Sequence, residues 1–204
     1  MTDLLDQVLA AADPLVRRVD EVLNASGAPD GHALWTELRR VRLLPGDAAR
    51  AVAALDPAPL SGAADALRAD ARTCADAAAE LPPPDTWTGE AAEAYDDLRR
   101  RTAARLSGTD DSLDERWEAT ADLADALADW MSTARSDLAV VLAEVMISAE
   151  AVTLVTSETW PATADQASAA AAVGTRILRS VAASYADADD LLRGSAPLAS
   201  AIPL

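Results

Sequence analysis

The feature that most constrains the fold of this chain is an unbroken stripe of uncharged residues between positions 113 and 155. Its members recur at alternating steps of four and three residues: Leu113, Trp117, Thr120, Ala124, Leu127, Met131, Ala134, Leu138, Val141, Val145, Ser148, Val152 and Val155. This heptad spacing places them on one side of a helix. The stripe therefore predicts a single long helix that packs lengthwise against other helices, and Trp160 and Pro161 are expected to end it.

Most of the remaining chain repeats its apolar residues at helical spacing, and glycines and prolines separate the repeats. Helices are predicted at 3–24, about 33–44, about 47–55, 60–81, 90–106 and 164–192. No segment shows the alternation of apolar and polar residues that is typical of a strand. We therefore predict an all-α fold, an elongated antiparallel helical bundle with long helices and a smaller N-terminal helical segment.

The positions of the proline-rich and glycine-rich breaks suggest three regions along the 204 residues. Residues 1–57 are predicted to form an N-terminal helical extension, and residues 58–193 a helical bundle. Residues 194–204, which contain two prolines, are predicted to be a flexible tail.

Charge excludes several classes of partner. The chain carries 34 acidic residues against 17 cations, all of them arginine, and its net charge is −17. Such a chain repels the phosphates of nucleic acids and of anionic membrane surfaces. The apolar run 138–155 approaches the length of a membrane span, but Glu144 and Glu150 interrupt it. We expect no nucleic acid partner, no membrane span and, from the N-terminal composition, no secretory signal peptide.

The residue inventory excludes most catalytic and metal chemistry. His32 is the only histidine and Cys74 the only cysteine, so neither a zinc site nor a di-iron site with Glu-x-x-His ligands is available. The absence of lysine excludes Schiff-base and P-loop chemistry. The many carboxylates are spread along polar helix faces. We expect no catalytic residue, no metal and no cofactor, and hence a protein that is not an enzyme.

Two short motifs stand out from this helical background. Trp87-Thr88-Gly89 lies between two predicted helices, where glycine permits a tight turn and tryptophan covers the exposed end of the helix pair. Tyr185 and Asp189 are one helical turn apart near the end of the last helix. We expect Tyr185 on the apolar stripe and Asp189 directed partly to solvent.

Together these motifs resemble those of the WxG-type substrates of the actinobacterial type VII (ESX) secretion system, over about residues 60–192. The family consists of helical hairpins with Trp-x-Gly at the turn and a Tyr-x-x-x-Asp/Glu export signal after a later helix. The resemblance implies recognition roles for Trp87, Gly89, Tyr185 and Asp189. Here Tyr185 follows Gly89 by 96 residues, more than in the simple hairpins of the family. Chain reversals at 107–109 and near Trp160 would bring both motifs to one end.

The resemblance implies a non-enzymatic helical protein of type VII secretion, an exported substrate or its binding partner, that acts through helix–helix association. Its partner would be another helical protein, the secretion ATPase or a second copy, and its location the cell envelope or the medium. An alternative is a cytoplasmic helical scaffold or adaptor without an export role, in which Tyr185 is only a core residue. A third is a bundle with a polar cavity that binds a small molecule or acts on one.

Overall fold

The computed structural model describes residues 3–156 and 161–199, and within these ranges the chain is helical and contains no strand. The prediction of an all-α fold is confirmed. The helices are α1 Leu4–Ser26, α2 Leu34–Val41, α3 Pro45–Ala53, α4 Ala58–Glu80, α5 Glu90–Leu106, α6 Leu113–Met146, α7 Ala149–Val155 and α8 Ala164–Gly194, followed by a 3-10 turn at Ala196–Ala199.

The chain forms two compact units that do not follow the predicted regions. The first unit comprises Met1–Asp56 and Asp129–Asp189, and the second comprises Pro57–Ala128 and Asp190–Leu204. The N-terminal helices are part of the core of the first unit, whereas the sequence predicts an extension over 1–57 and a separate bundle over 58–193. The reason is that α1 buries its apolar face together with α8 and the second half of α6.

The first unit has the larger core. Most apolar residues along one face of α1 are buried, with Val8 partly buried, and they pack with aliphatic residues of α6, α7 and α8. The largest fully buried side chains include Leu5, Val19, Leu138, Leu142, Leu154, Ile177 and Leu178. Asp3 caps the start of α1, because its Oδ1 accepts a hydrogen bond from Leu5 N at 2.7 Å. This unit contains most of the large apolar side chains that the described chain buries.

The second unit is held by a core of small residues. Ala64 of α4 is buried against Ala121 and Ala124 of α6, with Leu67 packed beside them. At the edge of this contact the Arg68 guanidinium forms ion pairs with α6 residues at 2.7–3.6 Å: Glu118, Asp122 and Asp125. Leu98 of α5 is 62% exposed.

The predicted single helix over 113–155 is wrong at its C-terminal end. The chain bends by 66° between α6 and α7. Ser148 starts α7 as its N-cap, since the side chain accepts a hydrogen bond from Ala151 N. The new helix buries Ala151 and Leu154, and it leaves Val152 and Val155 exposed although both belong to the predicted stripe.

No single described helix is both long and apolar enough to cross a membrane; α6 and α7 pass that test of length and composition only as a pair, across their bend. Residues 196–199 form a 3-10 turn where the sequence predicts a flexible tail, and Arg116 Nη2 donates a hydrogen bond to Leu198 O at 3.0 Å. Residues 200–204 and the predicted helix end at Trp160 lie outside the described residues.

Candidate functional site

The Trp-x-Gly motif lies in the loop between α4 and α5, as predicted. The loop begins with three prolines at 82–84, which cannot donate backbone hydrogen bonds and so end α4. A left-handed residue, Asp85 with φ 41°, then turns the chain. The backbone N–H of Trp87 closes this turn on the carbonyl of Pro84 at 2.8 Å. The motif is thus carried by a tight, hydrogen-bonded turn.

Gly89 is required by its backbone conformation. Its φ of 92° and ψ of −174° lie in a region that is essentially restricted to glycine. A Cβ atom at this position would have no neighbour within 4 Å, so crowding is not the reason for a glycine. The Gly89 carbonyl accepts hydrogen bonds from Ala92 N and Glu93 N at 3.0 and 3.2 Å. Gly89 therefore sets the direction in which α5 leaves the turn.

The Trp87 indole lies on the outside of this turn. It is 60% exposed, and its ring centroid is 5.5 Å from that of Tyr95, with the planes tilted by 52°. Tyr95 in turn donates a hydrogen bond from its hydroxyl to Pro82 O at 2.9 Å. The turn therefore holds an aromatic pair in place and leaves the larger ring accessible.

The same turn forms one wall of an open cleft of about 610 Å³ in the second unit, lined by Pro84, Trp87, Thr88, Gly89, Ala92, Glu93, Asp96, Asp97 and Arg100. A hydrogen bond from Arg99 lowers the pKa of Asp96, with Arg100 adding to the effect. Arg100 also contacts Asp97 at 2.5 Å. The cleft therefore offers an aromatic surface beside carboxylates that are already paired.

The second motif lies near the end of α8, and the structure shows its tyrosine to be only half-buried. Tyr185 is 44% exposed, whereas Leu178 and Val181 on the same predicted stripe are buried. The Tyr185 ring meets Trp130 of α6 edge to face, with centroids 5.8 Å apart. Trp130 Nε1 also donates a hydrogen bond to Ser184 O at 2.7 Å. Trp130 is outside the heptad stripe, which includes its neighbour Met131, so the spacing of apolar residues does not predict this contact.

Tyr185 and Asp189 line one open cleft of about 550 Å³ in the first unit, together with Arg40, Val41, Leu43, Ala182 and Ala186. Residues at and beyond the end of α2 form its other wall, where Arg42 adopts a left-handed φ of 61°. Leu43 is 42% exposed. The sequence carries no signal that this segment meets α8, because the contact joins residues far apart in the chain.

The two motifs belong to different units, and each is therefore described with its own neighbours. Trp87 and Gly89 share one cleft in the second unit, and Tyr185 and Asp189 share another in the first. A common recognition surface built from all four residues stays a prediction.

Other candidate groups have structural partners. His32 Nδ1 accepts a hydrogen bond from Leu34 N at 3.1 Å, which places the only histidine at the start of α2. In residues 3–156 and 161–199, no group of three or more histidine, cysteine, aspartate or glutamate side chains is placed to hold a metal ion. Comparisons with protein-family models, with curated proteins and with solved structures find no match to this chain.

Proposed function

We propose that this protein is a non-enzymatic helical component of type VII (ESX) secretion, either an exported substrate or the binding partner of one. It acts through helix–helix association, and an elongated antiparallel arrangement of its helices is part of the proposal. The observation that carries it is the exposure of both motifs: Trp87 is 60% and Tyr185 44% exposed, and Asp189 is exposed one turn after Tyr185.

Exposure matters because a large aromatic side chain stabilises a fold most when it is buried. Here each ring is anchored at one edge, by Tyr95 for Trp87 and by Trp130 for Tyr185, and keeps much of its surface free. Tryptophan and tyrosine that are held in this way are typical anchors of protein–protein interfaces. Both motifs are thus suited to bind a partner.

The proposed partner is a second helical protein, the secretion ATPase or another copy of this chain. Export would follow a route that does not need a signal peptide and would deliver the protein to the cell envelope or the medium. The proposal assigns recognition to Trp87, Gly89, Tyr185 and Asp189, and it assigns no catalytic or cofactor-binding role to any residue.

A second candidate is a cytoplasmic helical scaffold or adaptor without an export role. One observation favours it: the Tyr185 ring packs against Trp130 and so also contributes to the first unit. In that case Asp189 would have no function in transport, and both motifs would only stabilise the helices around them.

Export from an actinobacterial host distinguishes the two candidates. The tagged chain is expressed with and without the type VII ATPase, and culture filtrate and cells are blotted alongside a cytoplasmic marker for lysis. Asp189→Ala is compared with Asp187→Ala, a matched control because Asp187 is an exposed acid on the same helix, at a variable position of the Tyr-x-x-x-Asp segment. Circular dichroism verifies that both variants are folded.

We expect the wild type and Asp187→Ala in the filtrate only when the ATPase is present, and Asp189→Ala in the cells. Retention of every form in the cells would contradict export and favour the scaffold. Equal export of both variants would show that Asp189 is not part of the export signal.

A further inference from the structure

The solvent-facing side of α6 changes character halfway along the first unit. Its exposed positions from 129 to 137 are polar: Asp129, Ser132, Thr133, Ser136 and Asp137. The exposed positions from 140 to 147 are apolar except for one acid: Val140, Ala143, Glu144 and Ile147. The positions up to Glu144 lie on one face of α6, since they recur at steps of three and four residues, and Ile147 follows the end of the helix at Met146. The exposed face of α6 is therefore polar between 129 and 137 and mostly apolar toward the C-terminal end of the helix.

Two more exposed aliphatic residues lie on α7, after the 66° bend. Val140 is 55%, Ile147 88%, Val152 59% and Val155 63% exposed. We call these four residues the elbow patch. Single exposed aliphatic residues are common on proteins, but four within sixteen positions of the chain are typical of an interaction site.

The charges on α6 beside the elbow patch are acidic, and the cation that reaches α7 from α8, Arg176, is paired with Glu150 at 3.5 Å. Arg135 is the only cation between residues 129 and 156. It is 8% exposed and bound to Asp3 and Asp6, so it does not offset the acids at the surface. Asp137 and Glu144 lie on the same face of α6 as Val140, about one helical turn to either side.

We infer that the elbow patch docks an amphipathic helix of a partner protein, and that arginine or lysine side chains flank the apolar face of that helix. Val140 lies in the last two turns of α6 and Ile147 directly follows its last residue, Met146, so an apolar stripe of i, i+3, i+4 and i+7 residues on a partner helix suits the apolar end of α6. The basic flanks are set by charge complementarity with Asp137 and Glu144. The patch shares no residue with the two motifs, so this inference does not rest on the proposed function.

The same charge argues against two other occupants. An anionic lipid surface would be repelled by the acidic rim and by the net charge of −17. A second copy that met this patch with its own elbow patch would place Glu144 near Glu144, and like charges at an interface oppose association.

Binding of designed peptides tests the inference on the full chain. The probe is a fluorescently labelled helical peptide with a leucine and alanine stripe flanked by lysines; the matched peptide has glutamate in place of each lysine. Fluorescence anisotropy measures the binding of both. We expect the lysine peptide to bind and the glutamate peptide to bind at least tenfold more weakly.

Variants locate the binding to the patch. Ile147→Ser, at a side chain that is 88% exposed and therefore not needed for folding, is expected to weaken binding at least tenfold. Glu144→Lys is expected to weaken it by removing the charge match. Leu98→Ser, which removes another exposed leucine in the second unit, is the control and is expected to leave binding unchanged. Circular dichroism checks the fold of each variant.

Four results would overturn the inference. The first is no binding of the lysine peptide up to about 1 mM, the range of weak association. The second is equal loss of binding in Leu98→Ser and Ile147→Ser. Binding to vesicles of phosphatidylcholine and phosphatidylglycerol that Ile147→Ser abolishes would assign the patch to a membrane. A dimer in light scattering that Ile147→Ser dissociates would assign it to a second copy.

Discussion

The aromatic rings of Trp130 and Tyr185 meet edge to face, with 5.8 Å between their centroids. Trp130 also donates a hydrogen bond from Nε1 to the carbonyl of Ser184, so one side chain of α6 holds both the backbone and the ring at this point of α8. Tyr185 is nevertheless 44% exposed. The first residue of the Tyr-x-x-x-Asp segment is thus fixed in place without being part of the closed core.

This relationship predicts how substitutions at Tyr185 affect stability. Tyr185→Ala removes the edge-to-face pair and is expected to lower the free energy of unfolding by about 1 kcal/mol, since such pairs contribute about 0.5–1.5 kcal/mol. Tyr185→Phe keeps the ring and is expected to leave stability nearly unchanged. Urea denaturation followed by circular dichroism measures both. Equal destabilisation by the two variants would show that the hydroxyl, and not the ring pair, stabilises this region.

Gly174 lies where residues of α1, α2 and α3 pack closely on α8. A Cβ atom there would lie 2.9 Å from Pro45 Cγ, 3.2 Å from Leu34 Cδ1 and 3.3 Å from Leu23 Cδ1. Gly174→Ala is expected to destabilise the protein by about 1–3 kcal/mol, because the cost of overpacking exceeds the gain in helix propensity. Thermal and urea unfolding would measure the change.

Gly62→Ala is the control for Gly174→Ala, because the expected change in stability has the opposite sign. It also lies inside a helix, α4, but a Cβ atom there would have no neighbour within 4 Å. Gly62→Ala is expected to stabilise the protein by about 0.5–1 kcal/mol through helix propensity alone. A stabilising Gly174→Ala would mean that Pro45 and the two leucines move aside at little cost.

Substitution of Gly89 is expected to act differently from substitution of Gly174, because the backbone conformation, and not crowding, requires a glycine there. Gly89→Ala is expected to cost about 1–3 kcal/mol of strain at φ 92°. Hydrogen exchange of the α4 and α5 amides would detect the loss locally, because regions of a protein open with different free energies. Thr88→Ala, at the exposed neighbouring position, is the control, and equal protection in the two variants would contradict the prediction.

Local patterns in the sequence predicted those features of the fold that depend on residues close together in the chain. The stripe of α1 is buried largely as its spacing indicates, and the Trp-x-Gly motif lies in an interhelical turn because prolines end α4 and Gly89 starts α5. The predicted break after Leu106 is also present, between α5 and α6. In each case the determining residues are within a few positions of the feature.

The features that the sequence did not predict depend on competing or distant contacts. Ser148 has a stripe position in the heptad pattern, yet as an N-cap it starts a new helix and shifts the buried face to Ala151 and Leu154. Trp130 and the segment around Leu43 meet α8 only through tertiary packing. Apolar spacing cannot reveal either contact, because it describes one helix at a time.

Arg135 is a further residue of this kind, a charged side chain of the first unit that is only 8% exposed. Its guanidinium contacts Asp3 and Asp6 of α1 and the carbonyl oxygens of Ala53 and Leu55 beyond α3. Arg135→Met leaves these acceptors without their donor and is expected to destabilise the unit by about 1–3 kcal/mol. The carboxylates of Asp3 and Asp6 remain accessible to water, which limits the loss of stability. Urea denaturation at neutral pH measures it, and an unchanged midpoint would contradict this role.

The same contact predicts how stability depends on pH. A hydrogen bond from Arg135, supported by one from Leu5 N, lowers the pKa of Asp3 in the folded state. The stabilisation is therefore complete above the pKa of the unfolded chain, about 3.9 for aspartate, and it is lost as the pH falls through the lower folded pKa, since the unfolded chain binds the proton first. Asp3→Asn keeps a helix-capping oxygen but does not titrate.

We therefore expect wild type to be more stable than Asp3→Asn at about pH 7, and the difference between their free energies of unfolding to shrink toward about pH 3. Urea denaturation across this range measures the difference. The control is the same pair in the Arg135→Met background, where the donor that lowers the pKa is missing and the difference should vary much less with pH. A constant difference in the wild-type background would contradict the lowered pKa of Asp3 in the folded state.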